Sequence, residues 1–427
     1  MKRWLALLFL AGFGQAWGED AEDWSTHFQF TNVSQWHPAF TAPYSGQNSL
    51  NPNQSSNETS DITLYAGLRL SGSSEIWINP EIDQGFGLSN TLGMAGYPSG
   101  EAYKVGANPP YQRLPRFFYR KTFDLDGEEQ KVESGENQFS ASRTADNVVL
   151  TVGKFSVVDI FDNNSYAHDP RMDFLNWSVI ESGAFDYAAD AWGYTYGMSL
   201  EWTRSWWTLR SGFFDMSKTS NSTKLDPTFA QHEFVAEFEE RHQLMGHPGK
   251  LKLLGFDNHA VMGSYDDALA AGGIPDTALV RRGSSSPGFA LNLEQELAAD
   301  LGAFLRASYN QGSEQAFDFT EINRSVSGGI ALKGDRWGRS GDTFGLAAAV
   351  NGLSDAARAY FAAGGMGILI GDGRLNYGQE KILETYYSLQ ANQHVFVTFD
   401  YQHAVNPAYN RDRGPVDIYG ARVHLEY

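Results

Sequence analysis

One stretch in the middle of the chain combines the side-chain types that recognise sugars. Residues 159–177 read D-I-F-D-N-N-S-Y-A-H-D-P-R-M-D-F-L-N-W, and residues 185–194 read F-D-Y-A-A-D-A-W-G-Y. Carboxylates, amides and arginine bond neighbouring hydroxyls, and aromatic faces cover the apolar C–H patches of a pyranose ring. The alternative interpretation, which composition alone favours, is a folded loop whose Asn and Asp residues form turns.

Oxygen-rich side chains at the start of this stretch could also bind a cation. Asp159, Asp162, Asn163 and Asn164 offer the carboxylate and amide oxygens that calcium takes as ligands. The EF-hand order, with its central Gly and terminal Glu, is missing. We therefore keep calcium only as an alternative and predict no metal site.

Other carboxylates and histidines do not form a catalytic pattern. Glu380 and Glu384 would lie about 13 Å apart on one face of a strand, whereas a glycosidase pair needs about 5–9 Å across a cleft. They are better interpreted as an acidic row on one face of a strand, which in a barrel would line the lumen. No nucleophile elbow, HExxH, P-loop or dinucleotide-binding motif occurs, and His168, His259, His394 and His403 lack metal-ligand spacing. The sequence predicts neither an enzyme nor a cofactor.

The elements that position these residues are alternating strands, and the last one is the clearest. Residues 417–427 read D-I-Y-G-A-R-V-H-L-E-Y, which places Tyr419, Val423 and Tyr427 on one face and Arg422 and Glu426 on the other. Similar segments of about 8–11 residues recur from residue 61 onward between Gly-, Asn-, Asp- and Pro-rich turns. This pattern predicts an all-β fold, a transmembrane antiparallel β-barrel of about sixteen strands with a polar lumen.

Two segments depart from the strand pattern. Residues 48–60 are low in apolar content and are predicted to be a loop, after which the alternating strands begin. Residues 354–361 read S-D-A-A-R-A-Y-F and predict a short helix in a loop, capped by Ser354 or Asp355 and ended by Gly364 and Gly365.

The N-terminus has the pattern of a secretory signal. Lys2 and Arg3 precede a short apolar run, and Ala16 and Gly18 fit a cleavage site after residue 18. Residues 1–18 are thus predicted to be a signal peptide and residues 19–427 the barrel. Removal of two positive charges changes the formal charge from −19 to −21. That balance argues against nucleic-acid binding, and the absence of cysteine rules out a disulfide framework.

Several long strings resemble the OprB-type carbohydrate-selective porins of Gram-negative outer membranes. The resemblance covers most of residues 19–427. It is strongest in residues 78–93, 100–106, 152–177, 184–194, 364–377, 380–387 and 400–416.

The resemblance implies an outer-membrane channel for passive diffusion of small carbohydrates, mono- and disaccharides such as glucose, into the periplasm. It implies a loop folded inward at residues 159–177 to form a constriction. Alternation and resemblance together predict these channel-lining or constriction residues: Arg69, Trp77, Glu81, Arg116, Asp159, Asp162, Asn163, Asn164, Arg171, Trp177, Arg210, Arg306, Glu380 and Glu384. Aromatic residues, Trp77 among them, are expected to form a sliding rail.

The implied partners are small sugars, outer-membrane lipid and lipopolysaccharide. The assembly machinery of that membrane is expected to recognise the C-terminal strand ending at Tyr427. Two alternatives stay open from the sequence. One is an export channel for an acidic polysaccharide, which would need a basic lumen, and the other is an exported soluble protein that binds or cleaves glycans.

Overall fold

The computed structural model describes residues 22–71, 73–102 and 105–427, so the predicted signal peptide lies outside the described residues. Sixteen antiparallel strands form a closed barrel in chain order, and β1 pairs with both β2 and β16. The strands are β1 Trp24–His37, β2 Ser55–Ser71, β3 Ser74–Gly85, β4 Ala107–Val132, β5 Ala141–Phe155, β6 Thr195–Arg204, β7 Trp207–Asp215, β8 His232–Leu244, β9 His247–Gly263, β10 Arg281–Ala298, β11 Leu301–Asn310, β12 Arg324–Lys333, β13 Thr343–Gly352, β14 Glu380–Asn392, β15 Val395–Val405 and β16 Val416–Glu426. The predicted fold and strand number are confirmed.

Alternation along β16 sets which residues face outward. Tyr419 and Val423 keep 46% and 36% of their surface exposed, whereas Ile418 and Arg422 are 0% and 1% exposed inside the barrel. Neighbouring side chains of a strand point to opposite faces, so an apolar outer face follows from an apolar residue at every second position.

The two ends of the barrel differ in their connections. At one end, five turns contain two residues each, such as residues 205–206 and 245–246. At the other end the connections are long, up to the 39 residues 156–194 between β5 and β6. Outer-membrane barrels place short turns in the periplasm and long loops outside the cell.

In the described part of the chain, three short α-helices lie in the long loops. They are α1 Trp177–Ile180, α2 Tyr265–Ala270 and α3 Asp355–Ala362. The α3 helix confirms the prediction for residues 354–361, because the Ser354 side chain accepts a hydrogen bond from the N–H of Ala357. None of the helices in the described part of the chain has the length and apolar character needed to cross a bilayer.

The apolar core lies within the barrel and is built largely from the loops. Phe174, Val179 and Phe185 of the β5–β6 connection are each no more than 2% exposed and pack with inward residues of the wall such as Phe256 and Tyr386. The lumen is therefore packed over much of its cross-section, rather than lined throughout by water as alternation alone suggested.

The strand prediction was wrong near the N-terminus. Strand β1 lies before the first strand that alternation indicated, and β2 begins at Ser55, inside the predicted loop of residues 48–60. Asn32 of β1 faces outward and its amide donates to Ser60 Oγ at 2.8 Å. Polar pairs of this kind on the outer face hide the alternation that marks the other strands.

Candidate functional site: a constriction inside the barrel

Glutamates of the barrel wall hold the β5–β6 connection, residues 156–194, inside the lumen. We call this connection the constriction loop. Glu384 Oε1 of β14 accepts a hydrogen bond from the N–H of Leu175 at 2.5 Å, and Glu237 Oε2 of β8 accepts one from the N–H of Asp162 at 2.8 Å. Two further bonds of this kind join Ala188 to Glu233 and Ser165 to Glu294. The wall carboxylates thus satisfy backbone donors that the loop buries.

Cations of the wall bind the carbonyls of the same loop. Arg306 donates to the carbonyl oxygens of Val179 and Asp162 at 2.9 and 3.0 Å. Arg422 of β16 donates to three carbonyls within four residues of the loop, those of Pro170, Met172 and Asp173. Five guanidinium donors in a rigid plane suit this task, because one side chain can satisfy several buried acceptors.

These contacts correct three of the predicted lining residues. Glu380 and Glu384 are fully buried, and Arg306 is 1% exposed. Glu380 accepts the N–H groups of Ala95 and Gly96, which fastens the β3–β4 connection in the same way. Their place on the inner face follows from alternation, but the loops cover them, so they act as anchors.

The candidate calcium ligands are engaged by other partners. Asp162 accepts from the N–H and Oγ of Ser182 at 2.6 and 2.9 Å, and Asn164 donates to Asn292 at 2.7 Å. Asn163 accepts a hydrogen bond from the Lys252 ammonium. Among the residues described, no group of three or more acidic or histidine side chains is arranged to hold a metal. These residues fold the loop, which is the turn-forming role weighed in the sequence.

Two arginines of the predicted constriction are held by carboxylates inside the barrel. Arg116 of β4 forms a two-pronged ion pair with Asp159, with nitrogen–oxygen distances of 2.6 and 2.7 Å. Arg171 of the constriction loop reaches across to Glu101 at 2.9 Å and Glu81 at 3.2 Å. Guanidinium and carboxylate groups thus alternate in this part of the lumen. Their donors and acceptors could engage adjacent hydroxyls of a solute.

A third arginine here was missed by sequence reasoning. Arg113 is paired with Glu81 at 2.5 Å, and its guanidinium carbon lies 5.7 Å from the centre of the Tyr194 ring. Residues three apart face opposite sides of a regular strand, so alternation allowed only one of Arg113 and Arg116 to face inward. A register shift where β4 passes β3 places both on the inner side.

Aromatic rings form a cluster that lines the same cavity as the arginines. The ring centres of Tyr97 and Trp177 are 4.9 Å apart and nearly parallel. Phe319 lies 4.8 Å from Trp177 and 4.3 Å from Tyr187. We call Tyr97, Trp177, Tyr187 and Phe319 the aromatic cluster. Its rings come from the β3–β4 connection, the constriction loop and the β11–β12 connection, which explains why no single segment of sequence indicated it.

A cavity of about 750 Å³ joins the aromatic cluster, the arginines and the short-turn end of the barrel. Among the described residues that line it, six are arginines and six are carboxylates. The arginines are Arg116, Arg120, Arg143, Arg171, Arg210 and Arg241, and the carboxylates are Glu101, Glu136, Asp159, Asp169, Glu181 and Glu201. Burial raises the pKa of Glu181 well above its usual range, with Asp162 adding to the rise. The net charge of the cavity lining is therefore within one or two units of zero.

The predicted lining residues divide into two groups. Those that line the cavity are Arg116, Asp159, Asn163, Arg171, Trp177 and Arg210, and those that do not are Arg69, Trp77, Glu81, Asp162, Asn164, Arg306, Glu380 and Glu384. Trp77 faces inward but is fully buried against Phe139, with ring centres 4.9 Å apart, so it cannot belong to a rail. Arg69 lies beside the same phenylalanine. The lining residues that sequence reasoning missed include Tyr65, Glu101 and Glu136, whereas Tyr194 lies in the aromatic stretch of residues 185–194 noted in the sequence.

Comparison with known proteins gives one family. The model of the family described as "Carbohydrate-selective porin, OprB family" matches residues 47–427. No curated protein matches the sequence.

Solved structures share the fold at low sequence identity. OprB of Pseudomonas putida, solved at high pH, is 15% identical, with a TM-score of 0.72 over 95% of this chain and 94% of that chain. The outer-membrane channel DcaP of Acinetobacter baumannii is 9% identical, with a TM-score of 0.51 over 95% and 97%. OccAB1 of the same organism is 11% identical, with a TM-score of 0.50 over 95% and 97%. The chain belongs to the OprB family of carbohydrate-selective porins and is an outer-membrane channel of a Gram-negative bacterium through which sugars diffuse.

Proposed function

We propose that this porin passes small neutral carbohydrates, mono- and disaccharides such as glucose, from the extracellular loops to the periplasm. The observation that carries the proposal is the balance of six arginines and six carboxylates along the cavity. A lining that alternates donors and acceptors without a strong net charge suits polyhydroxy solutes. A basic track for an acidic polysaccharide, the export alternative, would need an excess of positive charge.

The groups that line the cavity suggest how a sugar would pass. The aromatic cluster would cover a pyranose face first, and Arg116, Arg171 and their carboxylates would then exchange hydrogen bonds with its hydroxyls. Conduction requires binding that is strong enough for entry and weak enough for release. We therefore expect half-saturation in the millimolar range, which corresponds to about −4 kcal/mol.

The experiment is single-channel conductance in a planar bilayer, titrated with glucose, a disaccharide and a uronate. Saturable block by the neutral sugars is expected, since their hydroxyls match the balanced lining. Block by the uronate alone would overturn the proposal in favour of an acidic substrate.

Trp177 replaces Trp77 as the residue that tests an aromatic rail. Trp177→Ala should lower glucose flux more than potassium chloride conductance, because only the sugar uses the ring face. Trp206→Ala is the matched control, since Trp206 is 54% exposed in the turn between β6 and β7. Equal loss of sugar flux and ion conductance in Trp177→Ala would refute the role of the ring.

Three further expectations complete the proposal. Outer-membrane lipid and lipopolysaccharide would contact the outward apolar face, and the assembly machinery would recognise β16 and the terminal Tyr427. The protein would act as a channel without catalytic activity. The predicted signal peptide, residues 1–18, would direct export.

A further inference from the structure

One periplasmic connection of the barrel is unlike the others. At the neighbouring strands, the wall ends where Ser74 pairs with Lys121 and where Thr203 pairs with Asn147. Residues 122–146 therefore protrude beyond the wall as an extension of the β4–β5 hairpin. Five other turns at this end contain two residues each, and the β12–β13 turn contains nine, residues 334–342.

The protruding hairpin bends back toward the barrel. The pairing of β4 with β5 shifts register twice, between Asp124 and Asp126 and between Asp126 and Glu129. Gly127, within the second shift, has a φ of +94°, which favours glycine. Extra residues on one strand of a hairpin bend it, so the end of the hairpin is turned away from the direction of the strands.

The end of the hairpin, residues 133–140, docks inside the periplasmic mouth. We call these residues the hairpin tip. Phe139 is 3% exposed and packs on Trp77, and the guanidinium carbon of Arg69 lies 4.7 Å from its ring centre. Arg69 also donates to the carbonyl of Ser140 at 2.9 Å. Arg120 fixes the other side of the tip by donating to the carbonyl of Asn137 at 2.7 Å.

Docking carries one carboxylate of the tip to the constriction. Glu136 lines the cavity together with Arg116 and Arg171, and its side chain stays exposed to the lumen. Gln29 of β1 lies between the Glu136 carboxylate and the Arg171 guanidinium. In the amide orientation that satisfies its neighbours, the Gln29 nitrogen donates to Glu136 Oε1 at 2.9 Å and the Gln29 oxygen accepts from Arg171. Enclosure within the mouth desolvates Glu136 in part and raises the pKa of its carboxyl, Asp169 adds to the rise and Arg171 opposes it.

We propose that the hairpin tip is the periplasmic half of the selectivity filter and that Glu136 repels anions which the constriction arginines attract. This inference rests on the proposed function and specifies how the site rejects charged solutes. An anion held by Arg116 and Arg171 meets a negative charge directly below, whereas a neutral sugar finds an additional hydrogen-bond acceptor. Selectivity would then come from two elements in series, the constriction loop and the tip.

The test compares two glutamates of one hairpin. Glu136→Gln removes the charge inside the mouth, and Glu128→Gln makes the same chemical change on an exposed residue that does not line the cavity. The full channel is measured in planar bilayers, by reversal potential in a potassium chloride gradient and by block with glucose and with gluconate.

Glu136→Gln should raise the ratio of chloride to potassium permeability by roughly three- to tenfold, the effect of one charge at several ångströms in water. It should also deepen gluconate block, while Glu128→Gln behaves like the wild type. If the two variants are indistinguishable although glucose blocks the wild type saturably, this inference fails and the proposed function stands. If glucose does not block the wild type, the proposed function fails and the inference fails with it.

A second variant tests the docking itself. Phe139→Ala removes the ring that holds the tip against Trp77, so it should increase conductance and reproduce the change in ion selectivity. Wild-type conductance and selectivity in Phe139→Ala would show that the tip does not border the path, and would overturn the inference.

Discussion

Replacing Glu384 by leucine should loosen the constriction loop without opening the barrel wall. The Glu384 carboxylate is fully buried and accepts the N–H groups of Leu175 and Asn176, at 2.5 and 3.1 Å. Leucine leaves both donors without an acceptor in a place that water does not reach. The β14 ladder is unaffected, because backbone groups form it.

The size of the effect follows from these two donors. A buried donor left unpaired costs about 1–3 kcal/mol, so Glu384→Leu should weaken docking of this segment by about 2–6 kcal/mol. Even the lower value shifts the docking equilibrium by a factor of about 30. Arg422 still holds the carbonyls of Met172 and Asp173, so the loop should fluctuate locally and remain inside the lumen.

Single-channel recording is the assay, supported by the heat-dependent mobility shift of a folded barrel on a denaturing gel. Glu384→Leu should show the folded band, a higher mean conductance and frequent current fluctuations, because Trp177 lies next to the freed segment. Glu384→Gln keeps one oxygen acceptor and should be intermediate. Lys381→Leu, an outward polar residue of the same strand, should match the wild type.

If the folded Glu384→Leu channel shows conductance steps of wild-type size without current fluctuations, the reasoning is refuted. They would mean that the wall carboxylates are not needed to hold the loop, and that packing of residues such as Phe174 is sufficient.

Two further predictions concern the loop and its pH dependence. Gly302→Ala should lower the free energy of unfolding of the barrel in detergent by about 1–3 kcal/mol, because an added Cβ would overlap the Tyr166 ring. Gly255→Ala is the control and should be neutral, since its Cβ would enter open space. Equal melting temperatures of the two variants would contradict this prediction. Asp186 accepts the N–H of Asp318 at 2.8 Å, and burial raises its pKa to about 7. The Asp186 carboxyl ionises near pH 4 in the unfolded chain and only near pH 7 in the folded chain. Its contribution to the stability of the folded barrel should therefore fall as pH rises from about 4 to about 7. Thermal unfolding of Asp186→Asn should lack that fall, and an identical pH profile in both proteins would exclude the assignment.

The strands could be predicted wherever lipid imposes an apolar outer face. In β16, Tyr419 and Val423 alternate with Ile418 and Arg422, and the structure reproduces that division. Strand β1 escaped prediction because Asn32 faces outward and pairs with a neighbouring strand. The hairpin extension, residues 122–146, escaped because strands beyond the membrane need no such alternation.

The site was predictable in place but not in detail. The resemblance to carbohydrate-selective porins indicated that residues 159–177 form the loop that narrows the lumen, and the structure puts Arg171 and Trp177 on the cavity. The contacts that assign roles join distant parts of the chain. The bond between Leu175 and Glu384, 209 residues apart, turns a predicted lining residue into an anchor, and no pattern within one strand contains that information.

The anchoring of the constriction loop has a consequence for the order of assembly. The loop follows β5, but its anchors arrive later in the chain: Glu237 on β8, Glu294 on β10, Arg306 on β11, Glu384 on β14 and Arg422 on β16. Contacts between residues far apart in sequence form late, after the chain has been closed around them. The loop can therefore reach its final position only once the last strand has been added. A nascent barrel would pass through a stage with a complete sheet and a wide, unselective lumen, and docking of the loop would be the step that makes the channel specific.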